Sequence, residues 1–95
     1  MATTFNCALV TPEKAVFEAE ATYANLPAFD GQMGVLANRA AVVVQLGSGT
    51  LAVQQADGTL RRFAISGGFA QMNKNRLTLL SEKAEDLDGG AESSQ

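Results

Sequence analysis

An all-β domain is what this sequence predicts, a flattened sandwich or barrel of about ten short, mostly antiparallel strands, and three observations predict it. Apolar and polar residues alternate with a period of two along most of the chain, while the 3.6-residue period of an amphipathic helix is nearly absent. Turn-forming residues recur at intervals of roughly 8 to 12 residues, the spacing of short strands in sandwiches and barrels. The chain has 95 residues and is 46% hydrophobic, enough for one core and too little for a second.

The elements follow in order. Phe5, Cys7 and Leu9 share one face of a first strand that stops at Thr11-Pro12, where proline removes a ladder donor. From Val16 to Tyr23 the residues Phe17, Ala19, Ala21 and Tyr23 fall on a core face, with Glu18, Glu20 and Thr22 on a wet one. Leu26-Pro27 is expected to end that run. Asp30-Gly31 supplies a turn before the apolar piece Met33 to Leu36. Val42 to Leu46 reads as a more fully buried strand, closed by a turn at Gly47-Ser48-Gly49. The clearest hairpin joins the alternating Leu51 to Gln54 and Arg61 to Ile65 through Asp57-Gly58. Gly67-Gly68 kinks the chain, and Phe69 to Met72 with Arg76 to Leu80 form a last hairpin around Asn73-Lys74-Asn75. After Ser81 the run Glu82 to Asp88 resembles a helix start that Gly89-Gly90 interrupts. The domain is therefore expected over residues 1–84, with an acidic, flexible tail over 85–95.

Composition excludes several chemistries. There is no His or Trp and one Cys, so no intramolecular disulfide, no Cys/His zinc cluster and no imidazole base can form. Cys7, alone in an alternating strand, reads as a small buried hydrophobe. From Glu82 onward five acids face one lysine, a net −4 within a total of −3, which leaves +1 on the rest. A near-neutral body with an acidic end is no footprint for nucleic acid, which calls for clustered cations. Arg61 and Arg62 point to opposite faces of a strand and read as rim charges. No secretory signal is visible at Met1 to Asn6, and the longest apolar run, Ala40 to Val44, is far below the roughly 18 residues of a membrane span.

The remaining motifs are weak. Gly47-Ser48-Gly49-Thr50-Leu51-Ala52 matches G-x-G-x-x-A, but a dinucleotide site needs a helix after the glycines and this segment alternates as a strand. Ser66-Gly67-Gly68 reads as a bend with close backbone approach rather than an anion nest. Glu18 and Glu20 share a solvated face without a pocket. Lys14 and Lys74 stand at turns, as the modified lysine of a lipoyl or biotinyl carrier domain does, which gives an alternative reading as a carrier or stand-alone interaction module. On the residues alone, the chain is an all-β interaction domain.

Three stretches together resemble one family in order and spacing. Leu9-Val10-Thr11-Pro12-Glu13-Lys14-Ala15-Val16-Phe17, Asp30-Gly31-Gln32-Met33-Gly34-Val35-Leu36, and Phe63-Ala64-Ile65-Ser66-Gly67-Gly68-Phe69 with Leu77-Thr78-Leu79-Leu80 are similar to the N-terminal β-sandwich of the epsilon subunit of F-type ATP synthase. The resemblance implies a non-catalytic subunit of the rotor's central stalk, packed on the gamma subunit and touching the loops of the c-ring. It implies no cofactor and no metal, and a peripheral position on the cytoplasmic side of the energy-transducing membrane. Asp30, Gly31, Gln32, Met33, Asn38 and Arg39 would then meet the c-ring, and the candidates for an apolar, one-sided gamma contact are the outward aromatic Phe69 and its apolar neighbours Ala70 and Met72, with ordinary core packing as their alternative. Gln32 and Arg39 stand where the family often has Glu and His, and Ala37-Asn38-Arg39-Ala40-Ala41 replaces a Pro-Gly-His-Ala-Pro loop. Family members commonly continue into a helical hairpin that can bind ATP. Gly89-Gly90 and a polar tail stand there instead, so neither ATP binding nor hairpin-type inhibition is expected of this sequence.

Overall fold

Nine β-strands and no helix make up residues 3–88, the part of the chain that the computed structural model describes. They are β1 (Phe5–Val10), β2 (Ala15–Ala28), β3 (Gly31–Leu36), β4 (Val42–Gln45), β5 (Ser48–Gln55), β6 (Leu60–Ser66), β7 (Phe69–Asn73), β8 (Arg76–Leu80) and β9 (Lys83–Asp86). The hydrogen-bonded order is β4-β7-β8-β1-β2-β5-β6-β9, with β3 attached to β2. All pairings are antiparallel except β1 with β8. The sheet folds over on itself through the 14-residue β2, whose first half pairs with β1 and whose second half pairs with β3 and β5.

Alternation sends one side chain in two from each layer into a common core. Phe5, Cys7 and Leu9 of β1, Met72 of β7 and Leu77 and Leu79 of β8 meet Leu51 and Val53 of β5 and Phe63 and Ile65 of β6. The Phe17 and Phe63 rings, 5.1 Å apart and tilted, close one end. Cys7 is fully buried, and burial pushes its thiol up to about 12.

The turns show why the residues at them matter. In the β7–β8 hairpin Asn73 pairs with Arg76, and Lys74 and Asn75 both take positive φ (51° and 58°), as a two-residue primed turn requires. Gly58 at φ 94° serves the β5–β6 turn, where its N–H donates to the Gln55 carbonyl and Asp57 Oδ1 accepts from Thr59 N–H. The latter bond holds the Asp57 carboxyl below its ordinary value. Gly68 is more constrained. At φ 102°, a Cβ there would lie 1.9 Å from the Leu80 carbonyl oxygen, so β7 can start against the end of β8 only with glycine.

Five expectations need correction. A bulge between Ala21 and Tyr23 moves Tyr23 to the outside and brings Ala24 and Leu26 into the core. Strand β2 continues through Pro27, which falls between the end of the β5 pairing at Asn25 and the bridge from Ala28 to Leu46, and whose carbonyl still accepts from Gly47 N–H. Val42 to Gln45 is an edge strand rather than a fully buried one, with Val43 66% exposed. Gly47-Ser48-Gly49 is no turn: Leu46 bridges to Ala28, and Ser48 already begins β5 as the chain passes from one layer to the other. Finally, Lys83 to Asp86 is a strand, so the domain runs past residue 84. The expected tail beyond Asp88 lies outside the described residues.

Candidate functional site

Two groups of residues expected at one contact stand at opposite ends of β3. Asp30, Gly31, Gln32 and Met33 form the tip and first part of the β2–β3 hairpin. Asn38 and Arg39 lie beyond its far end, and a six-residue strand spans about 20 Å. The tip is braced from below. Phe29 N–H donates to the Gln45 carbonyl, Gly47 N–H donates to the Pro27 carbonyl, and Gly49 lies so close to Pro27 that a Cβ would come within 2.9 Å of the ring. Asn25 Nδ2 donates to Gln32 Oε1 at 3.2 Å, which orients the Gln32 amide across the hairpin. Phe29 stands beside Asp30 at the tip, 71% exposed, the largest aromatic surface the fold leaves in water.

At the other end the loop is clipped to the β7–β8 turn. Asn38, at φ 67°, donates its N–H to Asn75 Oδ1 at 2.6 Å, and Asn75 Nδ2 donates back to Asn38 Oδ1 at 3.1 Å. The Asn75 carbonyl in turn accepts from Asn6 N–H, so β1, the loop and the turn form one unit. Arg39 follows directly and is exposed.

The third group splits by face. Phe69, Ala70 and Met72 sit on β7, where neighbours point to opposite sides. Ala70 and Met72 are buried in the core at 1% exposure, as the core-packing alternative for them has it, while Phe69 is 57% exposed. Register extends the outward surface around Phe69. Gln45, Phe69, Leu80 and Val10 lie in one row across β4, β7, β8 and β1, and Val43, Gln71, Thr78 and Ala8 lie in the next. Val43 and Leu80 are more than half exposed, so that with Phe69 they form an apolar cluster set among exposed Gln45, Gln71 and Thr78 and bounded by the polar row of Asn73, Arg76 and Asn6. Strand alternation alone does not mark Val43, Leu80 or Phe29 as outward, because each stands in a run whose core face only the pairing reveals.

No constellation for bond chemistry is assembled at these places. A cleft of about 640 Å³ opens between the Thr11-to-Lys14 turn and β9, lined by Glu13, Lys14, Glu82, Lys83 and Glu85 around Val16, Ala64 and Ala84. Lys74 does stand at a hairpin tip, whereas Lys14 is tied into the turn by paired backbone hydrogen bonds with Thr11.

Comparison with known proteins decides among the readings. The model of the ATP synthase delta/epsilon chain β-sandwich domain matches residues 4–87. The chain belongs to that family. It is 42% identical to the ATP synthase epsilon chain of Sinorhizobium fredii and 41% identical to that of Desulforamulus reducens, each over 93% of this chain and 66% of the relative. The chain thus spans just under two thirds of the length of these relatives. Its fold matches a chain in the cryo-EM structure of the Euglena gracilis mitochondrial ATP synthase, OSCP/F1/c-ring, with a TM-score of 0.86 and 25% identity, covering 94% of this chain and 57% of that one. A chain of the Tetrahymena thermophila mitochondrial ATP synthase central stalk and c-ring shares the fold at a TM-score of 0.69 and 15% identity. The carrier-domain alternative, which rested on lysines at turns, has no support from the family that accounts for residues 4–87.

Proposed function

We propose that this sandwich is the stalk-binding part of an epsilon-type subunit, a non-catalytic rotor component that joins the gamma subunit to the c-ring and so helps couple ion flow to ATP synthesis. The observation that carries the reading is the match to epsilon chains over nearly the whole described sandwich. In this reading the chain is peripheral to the energy-transducing membrane on its cytoplasmic side. Its physical contribution is stiffness: a close-packed two-layer core resists deformation and passes torque between the surfaces at its periphery.

Two surfaces are available for those contacts. The exposed apolar side chains Phe69, Val43 and Leu80 suit the centre of a gamma-subunit interface, which needs upward of about 1,000 Å² in all, with Gln45, Gln71 and Thr78 as polar neighbours. Ala70 and Met72 support that surface from beneath. The hairpin residues Asp30, Gly31, Gln32 and Met33, together with Asn38 and Arg39 at the far end of β3, are assigned to the c-ring as two separate contacts. Arg39 suits a carboxylate or carbonyl on a c-ring loop.

Calorimetric titration of this chain with the gamma subunit of the same organism tests the reading. Saturable one-to-one binding that Phe69→Asp/Leu80→Asp abolishes, in a variant that stays folded by circular dichroism, is the expected result. Absence of binding to a folded gamma subunit overturns the stalk assignment and leaves only the fold. ATP added to this 95-residue chain is expected to give no saturable heat at micromolar levels.

A further inference from the structure

Strand β9 is attached unlike any other strand of the sandwich. It contributes one apolar side chain to the core, Ala84, and that one only partly buried. What holds it is polar. At its start the Ser81 hydroxyl accepts from Ser66 N–H at 3.2 Å and lies within hydrogen-bond distance of the carbonyls of Ser66 (3.2 Å) and Lys83 (2.7 Å). At its end two successive arginines of β6 reach two acids from opposite faces of the strand. Arg61 meets Asp86 at 2.6 Å with its guanidinium 5.3 Å from the Phe17 ring centre and 5.2 Å from that of Phe63. Arg62 gives Asp88 Oδ1 bonds from Nη2 at 3.0 Å and Nε at 3.3 Å, and its backbone N–H binds Oδ2 at 2.6 Å.

We propose that β9 is an electrostatic latch: a strand that the Arg61–Arg62 pair fastens to the edge of β6, and that opens as a unit while the remaining eight strands stay closed. Edge strands need some device to keep them paired or shielded, and here charge replaces apolar burial. Because partly exposed ion pairs weaken in salt while a buried core does not, the opening responds to ionic strength separately from global unfolding. Opening uncovers the ladder groups of β6 from Phe63 to Ser66 and one side of the Phe17–Phe63 ring pair. The inference depends on contacts within this chain and stands whether or not the stalk reading holds.

Native-state hydrogen exchange on the whole 95-residue chain tests it. The amides of Lys83 to Asp86 and of Leu87, whose N–H donates to the Arg62 carbonyl, are followed against those of Leu77 and Leu79 at the sheet centre. Arg62→Gln is expected to lower protection of the β9 amides roughly two- to fivefold, the loss that an exposed ion pair typically gives, with Leu77 and Leu79 unchanged. Raising salt from 50 mM to 1 M should move the native protein the same way and Arg62→Gln less. Asp88→Asn, which keeps the shape of the side chain and removes its charge, is the second variant and should match Arg62→Gln. If the β9 amides exchange with the same opening free energy as Leu77, or are insensitive to both substitutions, the latch does not exist.

Discussion

Replacing Gly68 by alanine should be among the most damaging single-methyl additions this fold can receive, and Gly58→Ala provides its control. Both glycines have positive φ, 102° and 94°, so both substitutions impose backbone strain of roughly 1–3 kcal/mol. Nothing lies within 4 Å of a Cβ at Gly58, whereas at Gly68 the Leu80 carbonyl oxygen is 1.9 Å away and the Leu80 carbonyl carbon and Ser81 Cα are 2.9 Å away. Relief requires moving backbone by more than an ångström. That displacement disturbs the Phe69–Leu80 pairing, the bond from Ser81 N–H to the Val10 carbonyl and the Ser81 hydroxyl contacts, each worth about 0.5–1.5 kcal/mol net. Gly68→Ala should therefore cost about 3–5 kcal/mol and Gly58→Ala about 1–2 kcal/mol. Against a total stability on the order of 5 to 10 kcal/mol, the first would leave a substantial unfolded population. Urea denaturation followed by circular dichroism at constant slope measures both. A difference below about 1 kcal/mol between the two variants would refute the claim that close backbone approach, beyond positive φ, explains Gly68.

Other expectations are equally direct. Met72→Ala should cost about 2–5 kcal/mol and Phe69→Ala less than about 1 kcal/mol, since adjacent residues of β7 face core and solvent; thermal melts of the two variants check this. Cys7 should resist a thiol reagent at pH 8 in the native protein and react on unfolding. Because its folded value is raised, the stability that burial of the neutral thiol contributes is present below the ordinary value of 9.0 and lost as pH rises toward about 12, measurable as a falling melting temperature that Cys7→Ala lacks. Asp88, held below its ordinary value mainly by the Arg62 side chain and then its backbone N–H, contributes stability above pH 3.8 that is lost as pH falls through the lowered value. Asp88→Asn should flatten that part of the acid titration. Asn75→Ala should lower stability by about 1–2 kcal/mol through loss of the reciprocal bonds with Asn38, seen in the urea midpoint.

Much of this fold is legible because its turns are encoded locally. The Asp57-Gly58 and Lys74-Asn75 hairpins form where the sequence places residues that accept positive φ between two alternating runs. What is not legible depends on partners distant in sequence. A bulge shifts inward-facing residues by one, so reading β2 as a uniform alternation puts Tyr23 on the wrong side and misses Ala24 and Leu26. Glu82 to Asp88 is rich in helix-forming residues, but the open edge of β6 and its two arginines recruit it as a strand. No alternation signals these pairs: Asp86 and Asp88, two apart, would share one face of an extended strand, whereas the adjacent Arg61 and Arg62 do not, and the pairs form because the chain turns at Leu87 and Asp88. The candidate surfaces follow the same division. The resemblance carried by Asp30 to Leu36 gives the hairpin its place, while the burial of Ala70 and Met72 and the outward row of Val43, Phe69 and Leu80 depend on which strands flank β7.

The separation along β3 has a mechanical consequence for the stalk proposal. A single loop patch could yield under load by bending, but here the two groups assigned to the c-ring are joined by one strand that pairs with β2 over six residues. The tip is anchored to the β4–β5 corner, and the far end is clipped through Asn38 and Asn75 to the β7–β8 turn, which adjoins the apolar face. In that proposal, force entering at the hairpin tip passes to the Phe69 surface through backbone hydrogen bonds to β4, and force entering at Asn38 and Arg39 passes through the side-chain clip to Asn75. Cutting the clip should loosen one end alone. In an assembled rotor, Asn75→Ala would then reduce the contribution of Arg39 to c-ring binding while leaving that of Gln32 intact, and a double-mutant cycle that shows coupling of Asn75 to Gln32 rather than to Arg39 would contradict this path.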